Sequence, residues 1–176
     1  MNASIESSTT ENDFVRQLLA IAKREDRGML ADLKKGLSHA TRGKALQTLG
    51  RLGAFRGNFP LEIFQTVGAL FALHPKHAPI GNLGVTCRHV AKDREEAFDR
   101  RFRRLLACDT LDDLCGQLPG IVKMAKSADK LVDYDQLFTD LNRFRFNPQR
   151  VKIDWARRYW GAGEKEESAE TAEAAQ

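Results

Sequence analysis

Leu61-Glu62-Ile63-Phe64-Gln65-Thr66-Val67-Gly68-Ala69-Leu70-Phe71-Ala72-Leu73 follows a proline and carries a bulky apolar residue on every side of a helical wheel. Pro60 suits a helix start, because its fixed φ and missing N–H cost nothing there. Leu61, Ile63, Phe64, Val67, Leu70, Phe71 and Leu73 then predict a helix to about His74 that is buried nearly all round. Such a helix must be sheathed by others. The flanking sequence supplies them at helical period, with no alternating β-branched runs and no Asn-Gly hairpin signal. The chain is therefore expected to be all-α, a bundle of about eight to nine helices.

Upstream, Phe14, Leu18 and Ile21 repeat behind the polar Thr10 to Asn12, predicting a first helix after a flexible N-terminus over residues 1–11. A second is expected from Asp26. It turns Met29, Leu30 and Leu33 inward and leaves Lys34 and Lys35 at its solvent end, where lysines also suit the helix dipole. Thr41 to Ala54 predicts a third through Ala45, Leu46, Leu49 and Leu52, weakened by Gly50 and Gly53. Downstream, His74 to Gly84 holds two prolines and two glycines and is expected to be a long loop between two lobes, about 12–74 and 82–161. Asn82 to Val90 predicts a short helix. Asp93 to Cys108 predicts a longer one, with Phe98, Phe102, Leu105 and Leu106 opposite Arg100, Arg103 and Arg104. Leu111 to Lys126 is a helix or a kinked pair about Pro119 and Gly120. Asp133 and Gln136 fit a capping box before the stripe Tyr134, Leu137, Phe138, Leu141 and Phe144. Asn147-Pro148 then caps a last helix bearing Val151, Trp155 and Tyr159.

Among 176 residues, 28 Lys and Arg stand against 24 Asp and Glu, a formal net charge of +4, and 42% of residues are apolar. The acids crowd toward the ends. Residues 164–176 hold five Glu and one Lys, and Glu6, Glu11 and Asp13 precede the first basic residue, so residues 14–163 alone carry 27 basic against 16 acidic groups, a net +11. A body this basic attracts polyanions, of which nucleic acid is the commonest. Cys87, Cys108 and Cys115 are odd in number and lack CxxC spacing, which speaks against a disulfide framework and for a reducing cytoplasm. With no basic-apolar leader and no apolar run of about 18 residues, neither export nor membrane association is expected.

Arg100-Arg101 and Arg103-Arg104 bracket Phe102, and Arg143, Arg145 and Arg150 gather where the last two helices join. A guanidinium forks onto phosphate oxygens and stacks on exposed bases, so such a ridge suits a sugar-phosphate backbone. The competing reading is a solvated face paired with Glu95, Glu96 and Asp99. His74, His77, Cys87 and His89 can be drawn as a metal site, but a histidine at a helix end is more simply explained by the terminal carbonyls, and no metal or other cofactor is expected. Asp133, Asp135 and Asp140 lack the further acid or base of a nuclease, and Asp133 suits a cap. Without a Walker loop or a nucleophile elbow, no catalytic residues and no enzyme activity are expected. Phe98, Phe102 and Trp155 fit a core. Trp160 fits a core cap, a partner contact or a nucleic-acid contact.

Four groups of residues follow one another in a telling order: Asp26-Arg27-Gly28 with Leu30 and Leu33 to Leu37; Arg100-Arg101-Phe102 with Leu105-Leu106; Val132-Asp133-Tyr134 with Leu137, Asp140 and Leu141; and Trp155-Ala156-Arg157. In that order and at those separations the chain resembles the CasB family, the small subunit of the type I-E CRISPR surveillance complex Cascade. The resemblance covers about residues 12 to 161. It implies a non-catalytic all-α protein of two lobes, present as two copies in a complex with CRISPR RNA and the other Cascade subunits. Such subunits brace guide RNA and target DNA and hold the displaced non-target strand, which stabilises the R-loop in antiviral defence. Arg100, Arg101, Lys34 and Lys35 match basic positions of the family. Lys123, Arg143, Arg145 and Arg150 fall where its members tend to be basic, and Arg104 joins them from the exposed face of its helix. Asn142 to Phe146 replaces an aromatic-rich stretch, and the acidic tail has no family counterpart.

Two rivals remain. A stand-alone helical nucleic-acid binder needs a polar recognition helix after a short turn, whereas Gly36 to Lys44 leads into an apolar one. A structural adaptor would dock its basic face on acidic protein, and would show no preference for single strands over an acidic peptide. Beyond Gly163 too few bulky apolar residues remain to offset chain entropy, so a disordered acidic tail over 162–176 is expected. Deleting residues 164–176 should leave the melting temperature almost unchanged, and a large fall in a thermal melt would mean that the tail docks on the body.

Overall fold

A computed structural model of the chain describes residues 3–56, 58–79, 81–92 and 95–161, with side chains from residue 13 onward except at Glu95. The expected acidic tail lies outside the described residues. Among them the backbone forms nine α-helices: α1 (Ala3–Lys23), α2 (Arg27–Lys34), α3 (Leu46–Arg51), α4 (Leu61–Leu73), α5 (Leu83–Ala91), α6 (Glu95–Leu106), α7 (Leu111–Ser127), α8 (Tyr134–Phe144) and α9 (Pro148–Trp160). Two short 3-10 turns, Lys35–Leu37 and Arg42–Ala45, and one isolated bridge between His77 and Val132 accompany them. The protein is all-α, as its periodicity predicts.

The apolar helix that follows Pro60 is the central one. Ile63, Phe64, Val67, Leu70 and Phe71 of α4 are each 1% exposed or less. Phe64 meets Phe14 of α1 edge-on at 4.9 Å and Phe138 of α8 at 5.0 Å, in the offset arrangement that aromatic quadrupoles prefer. Burial of each such side chain favours folding by about 1.5–3 kcal/mol. One hydrophobic cluster runs from Phe14 to Tyr159 and includes residues of every helix.

Helix boundaries follow the capping chemistry. Asp26, Asn82, Thr110, Asp133 and Asn147 each accept the backbone N–H three residues on, which satisfies a donor that the first helical turn leaves orphaned. Two details depart from expectation. Helix α1 begins at Ala3 rather than after Asn12, and no Gly or Pro lies in the first 27 residues to stop it. The single helix expected over Thr41 to Ala54 is a 3-10 turn followed by the six-residue α3, because Gly43 and Gly50 lower helix propensity and Gly53 turns the chain at φ +79°. Of the two readings left open for Leu111 to Lys126, the single helix holds: α7 passes through Pro119 as one element. The hydrogen bond that Pro119 cannot make would have gone to Cys115, and both residues line an open cleft where Cys115 is only partly covered.

The Pro-Gly loop between α4 and α5 is stitched to the α7–α8 connection. Ala78 N–H donates to the Val132 carbonyl (2.9 Å) and Val132 N–H to that of Lys76 (3.1 Å). The buried Tyr134 hydroxyl donates to the His74 carbonyl at 2.6 Å, with that of Leu70 at 3.2 Å, fixing the start of α8 to the end of α4.

Helices α5 and α9 approach most intimately at Gly84, where a Cβ atom would stand 2.1 Å from the Trp155 carbonyl oxygen. Only glycine permits this contact, since the obstacle is helix backbone rather than a side chain that can swing away. Gly84→Ala should cost about 3 kcal/mol, near the top of the usual overpacking range. Denaturant unfolding at a stability near wild type would show that the two helices can part freely.

Candidate nucleic-acid interface

The candidate interface is built on a buried polar joint. Trp155 of α9 is fully buried, and its indole N–H donates to Asp140 Oδ2 of α8 at 2.6 Å. The other carboxylate oxygen accepts from Gln136 Nε2 at 2.8 Å. Burial raises the Asp140 pKa, and the Trp155 and Gln136 hydrogen bonds only partly oppose it. Asp140 therefore holds helices together and is closed to solvent chemistry. Asp133 is spent on its cap (2.9 Å to Gln136 N).

The structure does bring a base beside two of these acids, which the sequence spacing did not show. His77, Asp133 and Asp135 present ligand atoms within 4.8 Å of one another, the one such His, Cys and carboxylate grouping among the described residues. Yet His77 Nδ1 accepts the Tyr134 backbone N–H at 3.3 Å, so its proton resides on Nε2, which faces Asp135 Oδ2 at 3.5 Å. That ring is engaged as a hydrogen-bonding element rather than presented as a ligand. The set drawn from sequence does not assemble either. His74 Nε2 lies 2.7 Å from the Lys130 carbonyl, and Cys87 is fully buried with its thiol pKa pushed up by desolvation.

The arginines of α6 occupy the side opposite Phe98 and Phe102, both completely buried. Arg100, Arg101, Arg103 and Arg104 are all exposed. Arg103 is engaged: its Nε donates to Asp99 at 2.6 Å, and its guanidinium lies over the Trp160 ring, 5.2 Å from the centre. Arg103 holds the Asp99 carboxyl below its ordinary range, and the Trp160 indole N–H, 3.0 Å away, adds to this. Trp160, half exposed, thus ties the end of α9 to α6. Among the described residues no carboxylate pairs with Arg100, Arg101 or Arg104. Arg101 and Arg104 border a narrow cleft whose other wall is Gln117, Gly120 and Ile121 of α7, and Lys123 stands exposed three residues beyond Gly120.

A second group surrounds the α8–α9 turn. Arg143 is exposed, Arg145 Nη1 donates to Asn142 Oδ1 at 3.2 Å, and Arg150 pairs with Asp154 at 3.2 Å. A third ends α2: Lys34 is exposed, and Lys35 pairs with Asp32 at 2.5 Å. Pairs this exposed contribute no more than about 1 kcal/mol and open readily for a phosphate. Sequence reasoning passed over Lys152, which is buried at 8% exposure against Asp109 (3.0 Å), and Phe146, which is exposed. Phe146 could have been found, because it falls outside the apolar stripe that ends at Phe144. No helix among the described residues is long and apolar enough to cross a membrane.

Fold and surface together define an all-helical protein with a basic, arginine-rich exterior over one continuous core. The chain belongs to the Cse2 family of CRISPR-associated proteins, whose family model, described as CRISPR-associated protein Cse2, matches residues 29–160. Its fold is similar to that of a Cse2-family protein from Thermus thermophilus, with a TM-score of 0.73 at 23% identity over 86% of this chain and 98% of the other. It is also similar to CasB from Thermobifida fusca (0.69, 21%, 86% and 96%) and to a chain of a CRISPR RNA-guided surveillance complex (0.68, 22%, 86% and 91%). No curated protein sequence matches it significantly.

The Asp140 joint generates a pH prediction with a definite sign. Its folded-state pKa lies above the unfolded value, so the contribution linked to its proton is fully present below the unfolded pKa and is lost as pH rises through the folded one. Asp140→Asn, which stays neutral, should therefore gain on wild type between pH 4 and pH 7. Asp140→Ala should lose about 2 kcal/mol or more throughout, because it strands the indole N–H. Denaturant titrations at both pH values decide this, and a wild type that gains on Asp140→Asn toward neutral pH contradicts the account.

Proposed function

We propose that this chain is the non-catalytic small subunit of a type I-E CRISPR Cascade complex, acting in the cytoplasm in antiviral defence. It binds nucleic-acid backbones, braces guide RNA and target DNA, and stabilises the R-loop by holding the displaced strand. Its partners are CRISPR RNA, the target and non-target DNA strands, the other Cascade subunits and a second copy of itself. The observation that carries the reading is the set of exposed α6 arginines, Arg100, Arg101 and Arg104, left without carboxylate partners among the described residues on a chain of this family. Lys34, Lys35, Lys123, Arg143, Arg145 and Arg150 extend the basic surface.

The energetics support such a role. Exchange of a DNA duplex for an RNA–DNA heteroduplex is nearly balanced, so a few charge-assisted contacts to a freed strand shift it. A flexible strand needs no deep pocket, only guanidinium and ammonium groups that are not already neutralised. In this reading the chain has two lobes, about 12–74 and 82–161, and α8 of the second packs against α4 of the first as well as against α9. Exposed apolar side chains such as Phe55, Leu131 and Ile153 suit contacts with neighbouring subunits.

The test compares a reconstituted complex, with guide RNA, in the presence and absence of this chain, measuring target-DNA affinity and single-strand reactivity of the displaced strand. Addition of the chain should tighten binding and protect that strand. The double variant Arg100→Glu/Arg101→Glu should fold normally yet weaken protection, with a salt dependence shallower by about 0.7 in log–log slope for each phosphate no longer neutralised. Unchanged R-loop stability in the double variant removes these arginines from the site. A chain that neither joins the complex nor alters the footprint leaves an independent helical nucleic-acid binder or an adaptor as the better account.

A further inference from the structure

Phe146 is the most exposed large apolar side chain among the described residues, at 76%. Its neighbour Phe144 ends α8 on the buried stripe. The helix stops there, Arg145 caps it, and Asn147 begins the next one, so Phe146 falls in the turn and cannot join the core. The guanidinium of Arg145 lies over one face of the Phe146 ring, 5.0 Å from its centre. The Phe146 N–H donates to the Arg143 carbonyl at 3.0 Å, which sets the two residues one turn apart.

The charge around this ring narrows what can cover it. From Leu141 to Ile153 the chain has no Asp or Glu and four basic residues. Lys152 is committed to Asp109 and Arg150 to Asp154, whereas Arg143 and Arg145 are exposed and form no salt bridge among the described residues, Arg143 meeting the buried Asp140 only through its field. An apolar protein side chain would satisfy the phenyl ring but desolvate two guanidinium groups without compensation. A duplex keeps its base faces stacked inside. An unpaired nucleobase offers a flat π-face to the ring and brings a phosphate to within reach of the arginines.

We propose that Phe146 is a stacking platform for an unpaired base of a single nucleic-acid strand, with Arg145 on the opposite face of the ring and Arg143 at the adjoining phosphate. This rests on the nucleic-acid reading above and adds a contact to bases, which a basic track alone does not make. Such a platform tolerates any base, because every base has a π-face.

The test uses the full chain at low salt, titrated with a single-stranded DNA oligonucleotide carrying 2-aminopurine, whose fluorescence is quenched on stacking. Phe146→Ala and Phe146→Leu should weaken single-strand binding roughly 5- to 30-fold and abolish the quench. Phe146→Tyr should retain both, and the salt slope should be the same in all three. Thermal melts should coincide, since the ring packs on nothing buried. If Phe146→Ala binds and quenches like wild type while Arg100→Glu/Arg101→Glu loses affinity, the platform falls and the backbone reading stands. Leu performing as well as Tyr overturns stacking in favour of an apolar protein contact. Wild type that binds no single strand overturns both.

Discussion

Trp155 is the residue that the downstream half of the molecule has to accommodate. A fully buried indole needs an acceptor for its N–H, and the only economical one in a helical core is a side chain from the next helix, which fixes Asp140 on α8. The carboxylate in turn has a second oxygen to satisfy, and Gln136 one turn earlier supplies the donor. The Trp155 backbone imposes an equal demand, because its carbonyl abuts α5 so closely that only Gly84 fits. Asn82, the cap of α5, adds a bond to the neighbouring Asp154 carbonyl at 3.3 Å. One residue therefore sets the spacing of α5, α8 and α9, and the phase of each helix about its own axis follows.

Those phases decide what the exterior can do. With Phe98 and Phe102 turned inward, and Phe102 against Tyr159 at 4.1 Å between ring centres, α6 has no choice but to present its arginines to water. Their availability still differs. Arg103 is held by Asp99 and Trp160, so it braces α6 against the end of α9, while Arg100, Arg101 and Arg104 have no carboxylate partner among the described residues. Packing thus separates an arginine engaged in the fold from exposed ones with no carboxylate partner among the described residues, a distinction that net charge does not contain.

Much was legible in the sequence because it depends on neighbours three or four residues apart. Helical period, the helix starts at Asp26 and Asn82, the caps at Asp133 and Asn147, and the opposed faces of α6 are local properties, fixed by a repeat of 3.6 residues and by orphaned N–H groups. The order of short motifs pointed to the family. Local rules misjudged Thr41 to Ala54, where glycines divided a predicted helix, and left open whether α7 passes Pro119 unbroken, which it does where a partly open cleft tolerates the missing bond. Phe146 was passed over although the stripe that ends at Phe144 already leaves it outside the core.

By itself, then, the sequence determined the all-helical class, the basic body and the inward faces, all of which arise from short-range periodicity and composition. Tertiary structure alone decided that Asp140 meets Trp155, that His77 lies beside Asp133 and Asp135, and that the Trp160 ring comes to lie against Arg103. These outcomes depend on contacts between residues distant in the chain or on different helices. Their distances and angles are set by how whole helices pack, and no spacing along the chain encodes them.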